Sequence, residues 1–71
     1  MRGQPANVRF RVLESLVFHI GYALDRKRGS HRIYRCEGLP TINLQEADGG
    51  KAKPYQVRQV LAIINEHGIE V

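Results

Sequence analysis

The sequence predicts an α+β fold, a two-layer α-β-β-β-α domain with a three-stranded antiparallel sheet and two helices on one face. Three observations carry this prediction. Apolar residues recur at helical spacing near the start of the chain, and they do so again after Pro54. The stretch between alternates apolar and polar residues and is cut by turn signals at 27–30 and 37–40. Three short strands in a meander leave one face for the helices and one for water.

The elements follow in order. Residues 1–6 hold Gly3, Pro5 and no apolar pattern, and read as a flexible leader before a single domain over 7–71. Asn7 suits an N-cap, its side-chain oxygen accepting from an early helical N–H. Phe10, Leu13, Val17 and Ile20, with Leu16 beside them, then place the first helix over 8–20, and Gly21 supplies its stop. Val12 and Phe18 fall where a polar face is expected, which fits either partial burial at the edge of the apolar stripe or a partner-binding patch. Tyr22 to Arg26 reads as the first strand, with Tyr22 and Leu24 on one face and Ala23 and Asp25 on the other. Residues 27–30 turn the chain, Gly29 giving the positive φ that a hairpin commonly requires. His31 to Cys36 is the second strand and Thr41 to Gln45 the third, with Ile42 and Leu44 inward and Thr41, Asn43 and Gln45 outward. A polar loop over 46–53 leads to Pro54 as first residue of the second helix, where its missing N–H costs nothing. Val57, Val60, Leu61 and Ile64 form that helix's stripe, and Gly68 ends it near His67, with Ile69 and Ile64 in the positions that touch in a Schellman ending.

Size and composition bound the function. A 71-residue domain buries only about 60% of the surface its unfolded chain exposes, so its core is small and no deep catalytic pocket is expected. One cysteine, Cys36, cannot form an internal disulfide, which suits the reducing cytoplasm. No export signal or membrane-spanning run is apparent. The formal charge is +4 and the pI near 9.7. Seven of the eleven Lys and Arg residues, namely Arg26, Lys27, Arg28, Arg32, Arg35, Lys51 and Lys53, lie between positions 26 and 53. Such clustering points to a polyanion, nucleic acid first.

His31 is a catalytic candidate. A lone histidine at a strand entrance is most often a surface or structural residue, but this one follows the Gly29-Ser30 turn and is surrounded in sequence by anion-seeking side chains. Imidazole takes and returns protons near neutral pH, and cations hold phosphate. His19, on a helix face, and His67, in a last helical turn, lack that setting and read as structural or solvent-facing. Lys51 and Lys53 form a second signal, because cations just before a helix N-terminus are locally unfavourable unless an anion docks there. A solvated loop is the plainer reading of the same residues. Thr41, Asn43 and Gln45 offer polar groups to sugar or phosphate, or simply face water. Alternation leaves the direction of His31 open: a buried Ile33 puts it on the covered side, a buried Tyr34 on the open one.

No pair of carboxylates has a spacing that suggests glycosidase or metal-ion chemistry, and there is no His/Cys cluster, nucleophile elbow or P-loop, so no metal and no cofactor is expected. Metal-free RNA cleavage fits so small a set of groups, because RNA carries its own nucleophile. A base removes the 2′-hydroxyl proton, the oxygen attacks the adjacent phosphorus, and basic side chains stabilise the charge that develops.

At this point the residues carry a resemblance. Leu24-Asp25-Arg26, Arg28-Gly29-Ser30-His31 with Ile33-Tyr34, Ile42-Asn43-Leu44-Gln45, and Gly50-Lys51-Ala52-Lys53-Pro54-Tyr55-Gln56-Val57-Arg58-Gln59 resemble, in order and spacing, the HicA family of bacterial toxins. The resemblance spans nearly the whole chain after Ala6. It implies a fold similar to the double-stranded-RNA-binding domain, an mRNA-cleaving ribonuclease activity, and neutralisation by a HicB-type antitoxin protein. His31 matches the family's catalytic histidine within its Gly-Ser-His motif. Many relatives carry a second histidine where this chain has Arg32. The RNA-binding set expected with His31 is Arg26, Arg28, Gly29, Ser30, Arg32, Lys51 and Lys53, and Val12 and Phe18 are the candidate antitoxin contacts. The alternatives are a non-catalytic RNA-binding module and a protein-interaction domain.

Overall fold

Tyr34, Ile42 and Leu44 lie at the centre of the molecule and are fully buried, and both helices pack onto the sheet face that carries them. The computed structural model describes residues 8–71. The leader expected over 1–6 and the Asn7 cap lie outside the described residues. Helix α1 spans Phe10–His19 and helix α2 spans Pro54–Glu66. Between them run β1 (Ala23–Arg28), β2 (His31–Arg35), β3 (Ile42–Ala47) and the two-residue β4 (Lys51–Ala52), joined in one antiparallel sheet in the order β1-β2-β3-β4. No helix among the described residues is long and apolar enough to cross a membrane.

The sheet has four strands, one more than the sequence predicts. The expected polar loop over 46–53 is shorter than its composition suggests: β3 runs on to Ala47, a 3-10 turn covers Asp48–Gly50, and β4 pairs back at Glu46↔Ala52 and Ala47↔Lys51. Two successive positive φ values, 77° at Gly49 and 74° at Gly50, make this reversal possible. The far side of β4 is closed by the segment before α1, where Ala52 N–H donates to the Val8 carbonyl at 2.9 Å and Arg9 bridges to Lys51. That bridge holds Arg9 extended, with φ −74° and ψ 146°, and α1 begins at Phe10, two residues later than its apolar pattern predicts.

Both helices end alike. In α2, Ile69 N–H donates to Ile64 O at 3.0 Å and Gly68 N–H to Asn65 O at 3.4 Å, the paired bonds of a Schellman ending around Gly68 at φ 62°. In α1, Tyr22 N–H donates to Val17 O at 3.2 Å and Gly21 N–H to Phe18 O at 3.1 Å. Of the stripe predicted for α1, Phe10, Leu13 and Val17 are buried, while Leu16 and Ile20 are half-buried and Ile20 caps the helix end. The stripe of α2 is rotated: Gln56, Val57, Val60 and Ile63 are buried, while Leu61 is half exposed.

Candidate nucleic-acid interface and proton-transfer site

The site begins at the β1–β2 hairpin. Arg28 pairs with His31, leaving Gly29 and Ser30 as a two-residue turn. Gly29 takes φ 60° and Ser30 keeps a negative φ, the pattern of a type II′ turn with glycine first. A side chain at Gly29 would meet no atom within 4 Å, so glycine is needed here for its backbone and not for space.

Tyr34 is the buried member of β2, so its parity partner Arg32 faces the helices while His31, Ile33 and Arg35 face the open side. Cross-strand partners share a face, and Gln45 lies opposite His31 and Asn43 opposite Ile33. On β1 strict alternation would keep Leu24, Arg26 and Arg28 together, on the helix side with Tyr34. A β-bulge between Leu24 and Arg26 breaks that parity. Beyond it Arg26 lies opposite Ile33 and Arg28 opposite His31, which brings both arginines to the open face.

His31 Nδ1 lies 3.2 Å from Asn43 Oδ1. A carboxamide oxygen only accepts, so Nδ1 is the donor in this contact, and in a neutral ring Nε2 is then the nitrogen able to accept a proton. Gln45 Nε2 donates to Ser30 Oγ at 2.9 Å, and Lys53 Nζ donates to Gln45 Oε1 at 3.0 Å. The Ser30 hydroxyl therefore accepts from Gln45 and keeps its own proton free to donate outward. These bonds tie the hairpin turn, β3 and the cap residue of α2 into one polar surface. Asn43 and Gln45 thus serve as brackets for His31, Ser30 and Lys53, a role that their outward alternation alone could not show.

The charge on this face is unevenly neutralised. Arg35 Nε and Arg26 Nε bond Asp25 Oδ2 at 3.0 and 3.3 Å, and their hydrogen bonds hold the Asp25 carboxyl below its ordinary pKa. Arg28, Lys51 and Lys53 enter no ion pair among the described residues. Arg28, Ser30, His31 and Lys53 are therefore the predicted site residues that the structure brings together, with Arg26 alongside and Lys51 one residue beyond the buried Ala52.

Arg32 stands apart. Its guanidinium is on the helix side, 3.3 Å from Glu14 Oε2 and 4.9 Å from the centre of the Phe10 ring. Tyr34 donates its hydroxyl to the same Glu14 oxygen at 2.5 Å. Val12 and Phe18, on α1, are 57% and 45% exposed. The Phe18 ring meets Tyr34 edge-on at 5.7 Å, so Phe18 is partly packed and Val12 is the more open of the two.

Sequence reasoning missed Gln56, which is only 2% exposed in the first turn of α2. Its Oε1 accepts from Gln45 N–H at 3.3 Å and its Nε2 donates to the Asn43 carbonyl at 3.4 Å. It thereby serves the edge of β3 where the short β4 does not reach. The available signal was its place on the flank of the apolar stripe, one residue before Val57. No family model, curated protein or solved structure matches the chain.

Proposed function

We propose that the chain is an RNA endonuclease, the toxin of a toxin–antitoxin pair, acting on mRNA in the cytoplasm. One observation carries the reading: an exposed histidine held through Nδ1 by Asn43, beside Arg28 and Lys53, which enter no ion pair among the described residues. Nε2 takes the proton of a ribose 2′-hydroxyl, and the resulting oxyanion attacks the adjacent phosphorus. The bond to the 5′-oxygen breaks, that oxygen takes a proton from water, the imidazolium gives its proton to the hydroxide left behind, and a 2′,3′-cyclic phosphate remains. Arg28 and Lys53 stabilise the charge gathering on the phosphoryl oxygens, and the Ser30 hydroxyl donates to one of them. The resemblance to HicA toxins supports the same reading. It adds a double-stranded-RNA-binding-domain-like core, here with β4 appended, and a HicB-type antitoxin that contacts α1 at Val12 and Phe18.

The test is incubation of single-stranded RNA with purified protein in excess chelator. Cleavage to cyclic-phosphate ends is expected, and His31→Ala lowers its rate by at least about 100-fold, the usual scale of general acid–base catalysis. Cleavage unchanged by His31→Ala removes the histidine mechanism. Binding without cleavage assigns the protein to the non-catalytic RNA-binding modules instead.

A further inference from the structure

We propose that Tyr55 is a stacking platform for an unpaired nucleobase adjacent to the scissile phosphate, a subsite that rests on the RNA-cleavage reading above. The chain has five aromatic residues, three Tyr and two Phe. Phe10, Tyr22 and Tyr34 are buried, and Phe18 sits on α1 with its ring against Tyr34. Tyr55 is 55% exposed, in the first turn of α2. Its hydroxyl lies 3.5 Å from Gln56 Nε2, the atom that also donates to the Asn43 carbonyl. Asn43 in turn holds His31. The phenol's polar end therefore lies beside the strand that carries the site, while the residue as a whole is more than half exposed. Lys53 lies two residues before it and Arg58 one helical turn after it, both cations suited to the phosphates on either side of a stacked nucleotide.

The chemistry asks for such a group. In-line attack by a 2′-oxygen requires the backbone at the scissile step to leave regular helical stacking, and the displaced base needs another π-face. Aromatic side chains supply that face to single-stranded RNA with little preference for base identity. This predicts a subsite that raises affinity and fixes the register of cleavage while discriminating weakly among bases.

The experiment uses the full chain and short single-stranded RNAs methylated at every 2′-oxygen, which lack the nucleophile and stay intact. 2-Aminopurine is placed at each position in turn. One position is expected to be quenched on binding. Quenching and affinity persist in Tyr55→Phe, whereas Tyr55→Ala and Tyr55→Leu lose the quenching and bind about tenfold more weakly, in line with the loss of one base stack. Circular dichroism checks that each variant is folded. Full affinity and quenching in Tyr55→Leu overturn the platform and leave RNA binding standing, as does the absence of a quenched position in a complex that forms. Absence of any RNA binding by the wild-type chain overturns the RNA reading and the platform together.

Discussion

Tyr34 is both the central core residue of the sheet and a polar one, and its hydroxyl ends on a carboxylate that also pairs with Arg32. Removing that hydroxyl leaves the half-buried Glu14 with one partner fewer. Tyr34→Phe is therefore expected to destabilise the domain by about 2 kcal/mol, the scale of a hydrogen bond to a charged group, read as a lower urea midpoint at pH 7. Burial and then the Glu14 carboxylate push the Tyr34 pKa well above its ordinary 10.0. A phenol whose folded pKa exceeds its unfolded one stabilises fully below pH 10, and that contribution is lost as pH rises through the folded value. The gap between wild type and Tyr34→Phe should stay constant from pH 7 to 9 and narrow above pH 10; a gap unchanged at pH 11 refutes the assignment. The same residue decides the direction of His31. Alternation gives parity without sign, so the sequence left both faces open until the burial of Tyr34 placed His31 outward.

At the scale of the element, β3 matters most, because it carries both side chains that bracket the site while one of its edges is only half paired. Gln56 completes that edge with a side-chain amide in place of a neighbouring strand. Gln56→Leu keeps the buried volume but strips the partners from Gln45 N–H and the Asn43 carbonyl. A loss of about 2 kcal/mol is expected, with amide exchange at Gln45 accelerating more than at Leu44. Equal acceleration at both amides would show general destabilisation and not a lost edge. The helices, hairpin and Schellman endings were legible because they depend on residues a few positions apart. Gln56, β4 and the bulge after Leu24 were not, because each depends on what lies across the sheet. A β-bulge has no fixed residue signature at that spacing, yet it determines which face Arg26 and Arg28 occupy.

At the scale of the whole molecule, the sheet separates two kinds of positive charge that are mixed along the chain. Arg28 and Arg32 are four residues apart and of one residue type, and both read as phosphate ligands from sequence. The fold puts Arg28 beside His31 with no acidic partner among the described residues and commits Arg32 to Glu14 and Phe10 on the helix side. Salt titration of RNA binding distinguishes these roles, because each cation that neutralises a phosphate of single-stranded RNA contributes about 0.7 to the slope of log affinity against log salt. Arg28→Gln is expected to flatten that slope by about 0.7 and leave the urea midpoint nearly unchanged. Arg32→Gln should do the opposite, leaving the slope intact and lowering the midpoint, because Glu14 then keeps only the Tyr34 hydroxyl. An equal flattening from both substitutions would mean that RNA reaches the helix side as well. The interface would then have to be drawn around the edge of the domain at β1, whose six residues are all exposed, and not across the open face alone.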